Sequence, residues 1–570
     1  MNHASPDSRP HRAPTERWLT WIALTAVFVL GCVLRVRGVA AAWLNPDEGI
    51  YYSMVKWTDW SAFWAEYLGN AHPPLFYLLL RVIGECTDQY LGLRMLPLVA
   101  GCAGVPAMYL LARECAGSGR PAVVAGLLGA LMLALSEGAV TMSQIVRPYT
   151  LQITLLTLAL YYLVRFVQRG GGRCMPLYTA CMGAAILTHY SSFLVFGAVL
   201  GTLTGMAVFR QFPRDRLRSL ILWNAPILVA VLLLQFLHIQ SRLEGSALQE
   251  QAVTGWLRPY MLHDAAHVWS ALLGALALVF DQAWEGPALL ALLAGLVTAA
   301  VWRRPVLLWF PLTLLAITIV AAAAKKYPFG CTRHSLYLVL AFLPPIAMAL
   351  AKALTKPVGL ILGAVLLLCL VLPTTRPWLT TRVSTTLAGP DQKNVSVPER
   401  IIAAADVAKY LPAVQELQQN PVTVLTSLQG YYTLIPLYVR ERERMQWSKN
   451  RGFFHFRWGK CTVVVFQFWE FTIDDRAYGT PEHLYSCVKA VDAELPALRF
   501  GQDPSVVMVF GGWSSEMPVR LSTLRWHFFP DRKPVRSYLG DRGLLLMRFD
   551  MATYKAEVER ILSQGRRQNK

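Results

Sequence analysis

The chain has 570 residues, 55% of them hydrophobic and only 16% charged, with a formal net charge of +19. Its mean hydropathy of +0.38 excludes a soluble protein of this length and predicts a polytopic membrane protein. The basic balance does not call for nucleic acid, because topological Lys and Arg together with anionic lipid headgroups account for it, and no RNA- or DNA-binding module is recognisable.

In chain order, residues 1–17 predict a polar, basic, cytoplasmic tail. A hydrocarbon core of about 30 Å needs about 20 helical residues. Runs of that kind recur at 18–38, 91–112, 121–140, 149–168, 174–190, 192–209, 218–240, 286–302, 305–324, 334–352 and 357–374. Two shorter apolar pieces, 73–84 and 267–281, read as re-entrant or interfacial, so the expectation is about 11–13 transmembrane helices over 18–374. The first run lacks a small-residue cleavage site and reads as an uncleaved signal anchor.

Basic clusters set the orientation. They occur at Arg9, Arg12 and Arg17; Arg113 and Arg120; Arg165, Arg169 and Arg173; Arg210, Arg214, Arg216 and Arg218; Arg303 and Arg304; Lys352 and Lys356. Counting spans between them puts the first outer loop, 41–72, the stretch around Arg147, His189, the loop 241–285, Lys325 to Arg333 and everything beyond residue 374 on the opposite, extracytoplasmic side.

Past Arg376 the apolar runs shorten and charges become frequent. Residues 375–398 predict an irregular linker, and 399–570 an extracytoplasmic α/β domain with strands beginning near Pro421, Cys461, Ser505 and Gly543 and a helix from Pro398 to Gln419. The ten cysteines lie mostly inside spans and show no zinc spacing. Cys461 and Cys487 are a disulfide option in an oxidising compartment.

The chemistry concentrates at one face. Asp47 and Glu48 follow the first span, and carboxylates at the mouth of an apolar bundle need water, a cation or a substrate proton. His72, Arg147, Tyr149, His189, Tyr190, Lys325, Lys326, Arg333 and His334 are expected at similar depth, with Arg35 and Arg37 a helical turn or two before the acidic pair. Arginines on this side are not explained by the positive-inside rule; they want anions, and a lipid-borne phosphate suits the guanidinium fork.

Several motifs carry a family resemblance: Leu34-Arg35, then Asn45-Pro46-Asp47-Glu48-Gly49-Ile50-Tyr51-Tyr52, His72-Pro73-Pro74, Leu93-Arg94-Met95-Leu96-Pro97, Ser143 to Tyr149, and Tyr327 to His334 before Pro344-Pro345. In this order they resemble the C-type, polyprenyl-phosphate-sugar-dependent membrane glycosyltransferases, the group of the dolichyl-phosphate-mannose protein mannosyltransferases and aminoarabinose transferases. The resemblance spans roughly 18–374. Ala71-His72 stands where the aminoarabinose transferases have an acidic-lysine pair, which argues against that sugar.

The resemblance implies sugar transfer from a polyprenyl-phosphate donor to a protein, lipid or polysaccharide acceptor, with inversion at the anomeric carbon. Asp47 is then the candidate base, with Glu48 orienting the acceptor or sharing a cation. Arg35, Arg147 and Arg333 are candidates for the donor phosphate, and His72 for phosphate, proton or metal. Asp47, Glu48 and His72 together are a candidate set for a divalent metal ion. The expected location is a bacterial inner membrane, active face and C-terminal domain periplasmic. A lipid-linked sugar transporter or flippase, a non-catalytic glycan-assembly protein, and transfer of a preassembled oligosaccharide remain alternatives.

Overall fold

A computed structural model describes residues 14–40, 42–57, 59–70, 72–87, 89–211, 216–239, 257, 260–280, 285–379, 415, 417–439, 441, 444–449, 452–466, 491, 493–495, 506–511, 537–539 and 544–549. A helical bundle extends to Leu379, and a mixed sheet follows it.

The bundle begins with α1 (Pro14–Val36) and three shorter helices that follow it, α2 (Pro46–Val55), α3 (Trp60–Leu68) and α4 (Pro74–Cys86). It continues through α5 (Tyr90–Ala116), α6 (Gly119–Leu135), α7 (Glu137–Ser143), α8 (Tyr149–Arg169), α9 (Cys174–Ile186), α10 (Ser192–Val208) and α11 (Leu217–Leu234). After α11 come a π-turn (Gln235–Ile239), α12 (Ala265–Phe280), α13 (Glu285–Val301) and α14 (Pro305–Ala323). A 3₁₀ turn (Arg333–Leu338) then leads into α15 (Val339–Leu354) and α16 (Pro357–Leu379). Proline at the first helical position of α2, α4 and α14 starts each where a missing N–H costs nothing.

Among the described residues, six helices are long and apolar enough to cross a membrane, and up to eight if each bent pair is one span. The other expected runs are helical as well: Cys174–Ile186, Ser192–Val208 and Gly359–Val371 are shorter apolar helices of 10–17 residues. The run 121–140 bends by 60° between α6 and α7, and 174–190 is helical only to Ile186 before a turn that carries His189. Trp18, Trp21, Leu228, Leu232 and Phe236 stay exposed on the outside of the bundle, as lipid-facing side chains do. At the end of the bundle remote from Asp47, Arg169 pairs with Glu114, and Arg216 caps the Phe166 and Val167 carbonyls at 2.9 and 2.6 Å.

The expected linker 375–398 begins inside α16, and its remainder, like most of the expected helix 398–419, lies outside the described residues. All four expected strands form: β1 (Thr423–Ser427), β4 (Cys461–Phe466), β5 (Val506–Gly511) and β7 (Leu544–Phe549). Three more, β2 (Gln446–Trp447), β3 (Phe453–Trp458) and β6 (Ser537–Leu539), complete a seven-stranded sheet of order β2-β3-β4-β1-β5-β7-β6. β1 runs parallel to β4 and β5, and the other pairs are antiparallel. Cys461 is buried on β4, and Cys487 lies outside the described residues.

Two short helices follow β1, α17 (Leu428–Thr433) and α18 (Ile435–Tyr438). Leu434, Ile435 and Tyr438 share one buried apolar cluster with Leu44, with Tyr51 and Met54 of α2, and with Tyr77 and Leu80 of α4. The sheet domain and the helix bearing Asp47 are therefore packed into a single core.

Candidate active site

Asp47 and Glu48 are placed by the start of α2. Asn45 caps the helix: its side chain accepts from the Glu48 amide at 2.9 Å, and the Glu48 carboxylate accepts from the Asn45 amide at 3.1 Å. This reciprocal capping box fixes the first turn, and the helix N-terminus favours both negative charges.

The two carboxylates have different surroundings. Glu48 is fully buried; its Oε1 accepts from Arg94 Nε at 2.8 Å and the Val146 amide at 2.9 Å, and its Oε2 from Arg94 Nη2 at 2.7 Å. Asp47 is 15% exposed, pairs with Arg147, and meets Arg333 Nη2 at 3.2 Å. Arg147 arrives from the bend between α7 and α8, next to the Val146 amide that Glu48 holds. Arg333 opens the 3₁₀ turn, delivered by Gly330, whose φ of 130° suits only glycine and whose amide donates to Ser335 Oγ at 3.2 Å.

Around this pair stands a ring of aromatic side chains. Tyr149 lies 4.9 Å from His189 and 5.9 Å from His334, ring to ring. His72 lies 4.9 Å from His189 and is stacked at 6.4 Å on Tyr51, over which Arg147 sits at 5.5 Å. α8 and α9 form an antiparallel pair, which is why Tyr149, at the start of one, meets His189, just past the end of the other. His189 Nδ1 accepts from the Ser191 amide at 3.2 Å, so the neutral ring carries its proton on Nε2. Nε2 itself, Tyr149 Oη and Arg147 Nε are buried without a hydrogen-bond partner. Three orphan donors in one ring are what a bound polar ligand would satisfy.

The structure thus brings together Asp47, His72, Arg147, Tyr149, His189, Arg333 and His334. It places other sequence candidates elsewhere. Arg35 is buried and donates to the carbonyls of Gly31, Leu133 and Ala134 at 3.0, 3.0 and 3.1 Å. It closes the end of α6 at the break before α7 and does not face the ring. Lys325 is spent on the Leu262 carbonyl and on His263 Nδ1, 3.0 Å away, and Lys326 is exposed on the same turn. Tyr190 bonds His238 and belongs to a neighbouring aromatic group with Tyr67, whose ring is stacked on His238 at 5.1 Å.

Arg94 and His238 carry roles that the sequence reading did not assign. Arg94 stood inside a quoted motif, and a lone histidine in the apolar run 218–240 was the available signal for His238.

Asp47, Glu48 and His72 do not form the expected cation site. The Glu48 oxygens are filled by Arg94 and two backbone amides, and Asp47 already faces two guanidinium groups. Among the described residues, no group of three or more His, Cys, Asp or Glu is arranged to hold a metal. The residues present do not suit a divalent ion at this position.

A membrane-embedded bundle with a carboxylate set against two arginines at one end defines a polytopic protein with a candidate anion-handling centre. The sequence profile of the dolichyl-phosphate-mannose-protein mannosyltransferase family matches residues 71–238, so over that segment the chain is similar to a family of membrane glycosyltransferases, in agreement with the motif resemblance. The segment carries His72, Arg147, Tyr149 and His189, whereas Asp47 and Arg333 lie outside it.

No curated protein sequence matches the chain. Among solved structures, the Archaeoglobus fulgidus oligosaccharyltransferase tethered to an acceptor peptide is 13% identical over 88% of this chain and 70% of its own, with a TM-score of 0.47. The same enzyme in complex with Zn and sulfate is 13% identical over 87% and 68%, with a TM-score of 0.47. ArnT from Cupriavidus metallidurans bound to undecaprenyl phosphate is 16% identical over 94% and 98%, with a TM-score of 0.40.

Proposed function

We propose that the chain transfers a sugar from a polyprenyl-phosphate donor to an acceptor hydroxyl at the extracytoplasmic face of the membrane, in bacteria the periplasmic face of the inner membrane. The observation that carries this reading is the convergence of Arg147 and Arg333, from segments far apart in sequence, on the single carboxylate of Asp47.

In the reaction, the acceptor oxygen attacks the anomeric carbon as the bond from that carbon to the phosphate oxygen breaks. The electron pair leaves on the polyprenyl phosphate, and the acceptor proton passes to the Asp47 carboxylate. A single displacement inverts the anomeric configuration. Arg147 and Arg333 hold the phosphate through their forked donors and stabilise the charge that develops on it. Tyr149 Oη and His189 Nε2, buried without partners, donate to the phosphate or to a sugar hydroxyl.

Without donor, both arginines rest on Asp47, which makes it a poor base. A donor phosphate competes for the same guanidinium groups, so its arrival releases the carboxylate to the acceptor. Donor therefore binds first. Glu48, enclosed by Arg94 and the Val146 amide, keeps Asp47 and Arg147 in register and touches neither substrate.

The test is binding of polyprenyl phosphate to the purified protein. Arg147→Gln and Arg333→Gln should each weaken it, while Lys325→Gln should not. Equal binding by all three variants would remove the phosphate assignment.

A further inference from the structure

The sheet domain meets the Asp47 helix through backbone. α17 ends at Thr433, and the last carbonyls of a helix have no partner within it. The Thr433 carbonyl accepts from Trp43 Nε1 at 2.8 Å. The neighbouring Tyr432 carbonyl lies against Gly49: a Cβ there would stand 2.1 Å from its oxygen and 2.7 Å from its carbon. No other residue at position 49 allows this approach. Gly49 is two residues past Asp47, on the same helical turn.

Trp43 ties this contact to the buried charges, because its carbonyl accepts from Arg94 Nη2 at 3.0 Å and Arg94 grips Glu48. α2 has only ten residues, a length at which helices are marginal in water and depend on packing. Its first turn is held on one side by Glu48–Arg94 and on the other by α17.

We infer that Gly49 and Trp43 are positioning residues through which the C-terminal domain sets the Asp47 carboxylate against the reacting atoms. The domain is thereby part of the catalytic unit. The inference rests on the transfer reading for its kinetic consequence, and its mechanical half stands independently.

The experiment uses the full chain with Gly49→Ala and Trp43→Phe, the latter keeping an aromatic side chain while removing the indole N–H that donates to the Thr433 carbonyl. Gly183→Ala is the control, since a Cβ there would meet nothing within 4 Å. Hydrogen exchange reads the mechanical half: amides of residues 46–55 in Trp43→Phe should exchange up to about tenfold faster, with those of α8 unchanged. Unchanged exchange in 46–55 overturns the inference whether or not the protein transfers sugar.

Transfer kinetics read the other half. A displacement of about 1 Å at a reacting group costs about 100-fold, so Gly49→Ala should lose kcat on that scale per folded protein, and Trp43→Phe severalfold, with donor KM held. Should Gly49→Ala not fold, Trp43→Phe decides alone. Unchanged kcat, or a raised donor KM at unchanged kcat, overturns the positioning role. An inactive wild type with faster exchange in Trp43→Phe supports the clamp and removes the glycosyltransferase reading instead.

Discussion

Glu48 and Arg94 form a buried two-pronged pair at 2.8 and 2.7 Å, one residue away from the carboxylate that faces Arg147 and Arg333. Adjacent acids in the sequence thus divide the work. One anchors the local structure, and the other is left at the open side.

Removing one partner of such a pair leaves an uncompensated buried charge and costs about 3–5 kcal/mol. Glu48→Ala should therefore unfold at markedly lower temperature in detergent, with little folded protein to assay. A double Glu48→Leu, Arg94→Met variant should not restore stability, because Arg94 also serves the carbonyls of Val39, Ala42 and Trp43 and Glu48 the amides of Asn45 and Val146. Thermal unfolding followed by intrinsic fluorescence checks both.

Arg35 and Arg147 should separate cleanly. Arg35→Gln strips charged donors from the carbonyls closing α6, a loss of about 1.5–3 kcal/mol per such bond, and should lower the unfolding temperature while donor KM holds. Arg147→Lys keeps the charge but loses the fork. It should reduce kcat by about 100-fold, the scale of a lost charge-stabilising donor. Steady-state kinetics with varied donor distinguishes the two.

If Asp47 competes with the donor for Arg147 and Arg333, then Asp47→Asn should bind polyprenyl phosphate at least as tightly as the wild type. Titration of the detergent-solubilised variant measures this. Weaker binding by the variant would contradict the release of Asp47 by donor.

Donor-first order has its own signature. Polyprenyl phosphate, the released product, should inhibit competitively against donor, and acceptor alone should show no saturable binding. Product-inhibition patterns and equilibrium binding of acceptor check the order.

The membrane class, the four main strands and the Asp47-centred cluster were legible because hydropathy, short apolar runs and charges at the ends of apolar runs all report local chemistry. The breaks inside two runs were not, since Ser136 and the turn 187–191 interrupt stretches whose composition stays apolar. Arg35 was misplaced for a related reason: it is spent on bare carbonyls at Leu133 and Ala134, nearly a hundred residues on, and nothing in its own neighbourhood announces that demand. β3, with Phe at 453, 454 and 456, was overlooked because its burial only partly alternates. The contact of Gly49 with Tyr432 is backbone geometry, which the residue sequence does not encode locally.

In the proposed reaction Asp47 takes the acceptor proton. The most direct measurement is transfer of radiolabelled sugar from a panel of polyprenyl-phosphate sugars, in membranes holding equal amounts of folded wild type and Asp47→Asn, which removes the charge and keeps the shape. The expected result is transfer from at least one donor by the wild type and its collapse in the variant, with polyprenyl phosphate still bound. Transfer that persists undiminished in Asp47→Asn would contradict it.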